Sequence, residues 1–218
     1  MTLSQKRERM ALISHRLEQL YPNSECALEY SGQPWRLMVL ARLSAQCTDA
    51  RVNIVGRELF DAFPTLDSLA DAPLSQIEDI VRPCGLWKTK AKNIKDECIM
   101  LRDRYEGSVP DNMEQLLSLP GVGRKIANLL LGDIYKKPAV VADTHCIRIC
   151  GRLGMYPTSL KDAHKVEKIL SQIIEPREQS DFCHRIVQFG RDVCSARSPR
   201  CGECPLEQLC ESNHAKKS

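Results

Sequence analysis

Apolar residues in this chain recur at intervals of three and four. Met10, Ile13, Leu17 and Leu20 step in this way, as do Val52, Val55, Leu59 and Phe63, and again Ile94, Cys98, Leu101 and Tyr105. Such spacing puts each set on one face of a helix, and no stretch shows the strict alternation of a half-buried strand. The breakers Pro22, Gly32-Gln33-Pro34, Pro64, Pro73, Gly85, Gly107, Pro110, Pro138 and Pro157 cut the pattern into roughly ten short helices. An all-α fold follows, with Ala139 to Asp143 as a buried connection because no pairing partner exists for it. At 218 residues, 43% of them hydrophobic and 27% charged, the chain can bury a good core, and disorder is not expected. No repeat or long linker marks a boundary. Pro138 is the best candidate edge, where the helix begun at Arg124 should end and a Cys- and Arg-rich sequence begins.

The heptapeptide LPGVGRK, Leu119 to Lys125, contradicts ordinary helix chemistry. Backbone N–H groups at a helix start attract anions, yet Arg124 and Lys125 place two cations there. An absent phosphate, cradled by a loop whose glycines allow close approach, would resolve the conflict. In that field, and partly buried, a lysine would surrender its proton more readily and could act as a nucleophile. On a helical wheel Ile126, Leu129, Leu130 and Ile134 share a face, and Lys125 falls at its flank beside Asn128 and Gly132, over a groove of small residues. The loop alone is equally compatible with a plain helix–turn–helix joint and a solvated lysine. Eighteen positions on, Asp143 precedes another helical pattern, Ile147, Cys150 and Leu153. It reads either as an N-cap or as the fixed negative charge that a cationic sugar transition state needs.

Four of the eleven cysteines, Cys194, Cys201, Cys204 and Cys210, fall in one compact segment as C-x6-C-x2-C-x5-C. Four thiolates can bind one zinc ion or one iron–sulfur cluster, and the single CxxC favours the cluster. The other seven lack such clustering and read as buried structural thiols. With no signal-peptide core in MTLSQKRERM and no run of ~18 to 20 apolar residues, the expectation is a cytoplasmic protein without a membrane span. A net charge of +3 permits nucleic-acid binding without requiring it.

LPGVGRK followed by VADTH resembles the helix–hairpin–helix and catalytic region of the endonuclease III family of DNA glycosylases. The likeness extends to LSAQCTDARVN at 43–53, CGLWKTKAKNI at 84–94 and CHRIVQFGRDVC at 183–194. It implies a two-domain fold: a six-helix domain with the hairpin over 27–137, and an iron–sulfur domain made from 1–26 and 138–218, with the site between them. It implies a bifunctional enzyme of base-excision repair that removes oxidised pyrimidines and cleaves the abasic site by Schiff base formation and β-elimination. Lys125 matches the Schiff-base lysine, Asp143 the catalytic carboxylate, and the four cysteines the ligands of a [4Fe–4S] cluster. DNA contacts are implied for the hairpin residues Leu119, Gly121, Val122, Gly123 and Arg124, and for Arg191, Arg197 and Arg200 around the cysteine segment. Gln46 matches the glutamine that fills the gap left by an extruded nucleotide, and Leu86 the wedge that parts the stack; on their own they read as a helix-surface glutamine and a core leucine. Lys88, Lys90 and Lys92 suit either phosphate contact or a solvated helix start. His145 and Arg148 match positions near the active site.

The implied partner is double-stranded DNA carrying damaged pyrimidines or abasic sites, bound by a monomer that would be nucleoid-associated in a bacterium. The rivals are a monofunctional glycosylase of the same fold, against which Lys125 argues, and a non-catalytic hairpin protein. Three departures from the family pattern stand out: Ile126 where threonine is usual, Cys47 after Gln46, and Ser198 where another cation is common.

Overall fold

The computed structural model describes residues 1–213, and every regular element among them is helical. The chain divides into two compact units, one made of Met1–Glu25 with Lys136–Ser218, the other of Cys26–Tyr135. Ala139, Val140 and Ala142 are buried, as expected of a connection with no strand partner.

The continuous unit holds α2 (Pro34–Leu43), α3 (Asp49–Ala62), α4 (Leu66–Asp71), α5 (Leu74–Val81), α6 (Trp87–Tyr105), α7 (Met113–Ser118) and α8 (Arg124–Asp133). Their starts are set by local chemistry. Pro34 opens α2, Thr48 accepts from the Arg51 amide, Thr65 and Ser68 form a reciprocal capping box, and Asn112 accepts from the Gln115 amide. Seven of the ten residues of α2 are buried, so it runs through the core, flanked by α3, α6 and α8. The long α6 is the other organiser, packing against α2, α4 and α5. Helix α8 stops at Asp133, several residues before Pro138, so the proline is not what ends it.

The discontinuous unit holds α1 (Leu3–Leu20), α9 (Thr144–Arg152), α10 (Ala163–Ile173) and α11 (Gln179–Asp192), followed by a segment with short 3-10 turns at Cys201–Glu203 and Glu207–Leu209. Met10, Ile13 and Leu17 of α1 meet Cys146, Ile149 and Cys150 of α9, Val166 and Leu170 of α10, and Phe182, Ile186 and Phe189 of α11 in one core. Helix α11 packs against α9 at Gly190. A Cβ there would lie 2.3 Å from His145 Nδ1 and 2.9 Å from Ile149 Cδ1. No helix among the described residues is long and apolar enough to cross a membrane.

Candidate functional site

The hairpin is a tight turn between α7 and α8. Val122 N–H donates to Leu119 C=O at 3.1 Å, with Pro120 at the second position and Gly121 at φ +76°, the pattern of a type II turn. Gly121 is needed twice over. A side chain would be strained at that φ, and its Cβ would fall 2.8 Å from the Asn93 amide and 2.9 Å from Arg42 Cζ. Arg42 fixes the turn from behind, donating Nη1–H to Gly121 C=O at 2.8 Å. With its amide oxygen turned toward Arg42, Asn93 accepts from the same guanidinium. Leu119 and Val122 are buried, so they offer a ligand only their backbone, whereas Gly121 and Gly123 are exposed. No side chain caps α8, and no acidic residue stands in its first turn. This leaves the positive helix end facing out, with Arg124 and Lys125 beside it.

Lys125 is exposed and not partly buried as expected, so any desolvation of its amine must come from a bound partner. The groove of small residues is also absent, because Asn128 and Gly132 belong to the buried face of α8 with Ala127, Leu130 and Leu131.

Asp143 is the N-cap of α9, and its Oδ1 accepts from Cys146 N–H at 2.7 Å. The cap occupies one carboxylate oxygen of a half-buried side chain, so the two roles weighed from sequence are compatible. His145 and Arg148, one turn apart on α9, join each other at 3.2 Å, and Arg148 also donates to Cys194 C=O at 3.0 Å.

Gln46 and Leu86 share an unusual property. Neither is a glycine, yet both have left-handed backbones, at φ +55° and +50°. Gln46 is exposed in the loop between α2 and α3, not on a helix surface. Leu86 precedes α6 and is 59% exposed, not a core leucine. An apolar side chain held out in a disfavoured backbone conformation is a feature that folding alone does not explain. Trp87 beside it is half-buried under two cations, with Arg82 and Lys88 at 4.7 and 5.1 Å from its ring centre. Lys90 departs from expectation: it is buried and does not reach a phosphate-facing surface.

Cys194, Cys201, Cys204 and Cys210 are free thiols lining one cavity of about 490 Å³, together with Arg148, Arg152 and Arg197. Burial, reinforced by the neighbouring thiols, pushes Cys204 and Cys210 above the usual thiol range, a repulsion that bound cationic metal would relieve. No three His, Cys, Asp or Glu side chains among the described residues are arranged to hold a single metal ion. Four thiols lining one cavity can each bind a different iron of one cluster. The residues fit that group. Arg152, which sequence reasoning missed, holds the first ligand's loop by donating to Cys194 Sγ at 3.3 Å, Ser195 C=O at 2.8 Å and Ala196 C=O at 2.9 Å. Of the expected phosphate contacts, Arg191 and Arg197 are exposed, and Arg200 is tied back to Asp192 C=O.

Residues 39–176 match the HhH-GPD superfamily of base excision DNA repair proteins, and residues 194–210 match the iron–sulfur binding domain of endonuclease III. The chain is 40% identical to endonuclease III of Synechocystis over 98% of its length and 96% of the relative's. It is 39% identical to that of Bacillus subtilis over 90% of its length and 89% of the relative's. The solved structure of a trapped endonuclease III–DNA covalent intermediate covers 100% of both chains with a TM-score of 0.90 at 37% identity.

Proposed function

Because the chain belongs to the endonuclease III family within the HhH-GPD superfamily, we propose that Lys125 and Asp143 carry out base removal and strand scission on oxidised pyrimidines in duplex DNA. The enzyme is a bifunctional DNA glycosylase and abasic-site lyase of base-excision repair. Cys194, Cys201, Cys204 and Cys210 would hold its [4Fe–4S] cluster, and ligation at four points of one segment would order Arg191 and Arg197 for phosphate. The discontinuous unit is then the cluster domain, and the continuous unit the hairpin domain.

The chemistry follows from the residue types. The exposed amides of the hairpin turn take a phosphate of the damaged strand, giving the positive end of α8 the anion it lacks. Leu86 enters the stack and Gln46 fills the gap beside the orphaned base, which lets the damaged nucleotide leave the helix. Closure over the nucleotide dehydrates Lys125, and its neutral amine attacks C1′ as the bond to the base breaks. Asp143, with one oxygen committed to the cap, offers the other to the positive charge growing on the sugar and to the proton in transit. The sugar ring then opens, the C1′–O4′ bond breaking as O4′ takes up the proton lost by the amine, and the resulting Schiff base acidifies the 2′ hydrogen. Its loss expels the 3′ phosphate and cuts the strand.

The observation that carries this reading is an exposed lysine in the first turn of α8, in a chain that matches end to end a protein trapped covalently on DNA. Borohydride trapping on duplexes with thymine glycol or an abasic site tests it. Wild type should form a covalent adduct and Lys125→Gln none. An adduct that survives Lys125→Gln refutes the nucleophile, and a wild type that binds without adduct or cleavage is a hairpin-binding module instead.

A further inference from the structure

Lys90 meets neither phosphate nor solvent, the two surroundings its sequence suggests, for its side chain is 2% exposed. Its Nζ donates to the carbonyl oxygens of Leu43 at 2.9 Å, Ala45 at 2.8 Å and Cys84 at 2.8 Å. An ammonium group has three hydrogens to donate, and each finds its own carbonyl here. Burial pushes the Lys90 pKa below the ordinary lysine range, yet three acceptors match the charged form and not the neutral amine, which has only two hydrogens.

These acceptors come from two stretches distant in sequence. Leu43 and Ala45 lie at the end of α2 and in the loop leading to Gln46, where unpaired helix carbonyls favour a cation. Cys84 ends the 3-10 turn that runs through Gly85 to Leu86. Each left-handed, exposed residue therefore sits one or two positions beyond a clamped carbonyl. The Cys47 and Cys84 side chains also meet at this point, so the two loops touch through side chains as well as through the lysine.

We infer that Lys90 is a positioning residue for duplex opening: one buried cation tied to both loops holds Gln46 and Leu86 in register, so that gap filler and wedge enter the stack together. This rests on the proposed roles of those two side chains. A lysine that merely stabilised the core would affect every substrate equally, whereas a positioning residue matters only where strands must be parted.

The experiment compares strand cleavage at an abasic site in duplex and in single-stranded DNA. Lys90→Met keeps the apolar stem and removes the ammonium. It should lower duplex cleavage by on the order of a hundredfold, the scale of an ångström-sized misplacement, and leave single-strand cleavage little changed. Hydrogen exchange should rise at 43–47 and 84–87 while the visible absorption of the cluster persists. Gln46→Ala/Leu86→Ala should show the same substrate dependence, and adding Lys90→Met to it should cause little further loss, as expected when one residue acts through the others.

Equal losses on both substrates make Lys90 structural and overturn the inference. A double variant with unaltered preference for duplex refutes the gap-filler and wedge roles themselves, and removes the route proposed for Lys90. If Lys90→Met does not fold, Lys90→Arg keeps the cation but redirects its hydrogens; it should still lower the duplex-to-single-strand ratio, and an unchanged ratio overturns the inference.

Discussion

Glu97 lies on the buried face of α6 with 0% exposure, and neither carboxyl oxygen has a hydrogen-bond partner. Burial drives its pKa well above the ordinary glutamate range, and the charge of Arg42 opposes this only in part. The folded state therefore keeps a proton that the unfolded chain releases above about pH 4.5. Because the native state binds more protons, stability falls as pH rises from that value, by about 1.4 kcal/mol per pH unit for as long as the folded carboxyl stays protonated. Glu97→Gln cannot ionise and should remove this slope, matching wild type near pH 4.5 and exceeding it increasingly toward neutrality. Glu97→Met, of similar length and without unpaired polar atoms, should gain about 1 to 3 kcal/mol more. For a chain of this size each kcal/mol moves Tm by about 2 to 4 °C. Thermal and urea unfolding of the three proteins at several pH values reads both effects. Parallel curves for wild type and Glu97→Gln would show that the carboxylate is ionised and paired in the native state, and would refute the reasoning.

Asp143→Asn keeps a capping side chain and should melt close to wild type while slowing base release by about 10² to 10⁴-fold; Asp143→Ala should in addition lose about 1 kcal/mol of stability. Single-turnover rates and melting curves separate the two, and an Asn variant at full rate removes Asp143 from the chemistry. Arg152→Met frees the loop of the first cysteine ligand, so the visible absorption of the cluster should fade faster under a chelator than in wild type, with Arg197→Met as the unaffected control. Gly190→Ala forces apart α9 and α11 where a Cβ would lie 2.3 Å from His145 and should destabilise by about 1 to 3 kcal/mol, read by urea unfolding; a neutral result would mean the crossing yields easily.

Most of the helical order was legible because the breakers other than Pro138 fall near the ends of elements and most of the apolar spacing marks buried faces, although Leu20 is 41% exposed. Met10, Ile13 and Leu17 are all in the core. The family signatures located the hairpin and the cysteine segment, since both depend on contiguous residues. What escaped were polar groups serving the interior. Lys90 and Glu97 lie four before and three after Ile94, on the very stripe that marked α6 as amphipathic, so their burial could have been read from position. Their charge suggested solvent instead. The left-handed backbones of Gln46 and Leu86 gave no local sign, because nothing in a glutamine or a leucine announces a positive φ. Arg42 and Arg152 act on carbonyls far away in sequence, and no spacing rule reaches that distance.

The first helix belongs to the same core as α10 and α11, although the whole continuous unit is synthesised between them. On a ribosome adding roughly 5 to 20 residues per second, Met10, Ile13 and Leu17 are made many seconds before their partners on α10 and α11. Completing this core therefore means recruiting a segment made before the whole continuous unit. Truncating the amino terminus should damage the last-made half of the chain and spare the middle.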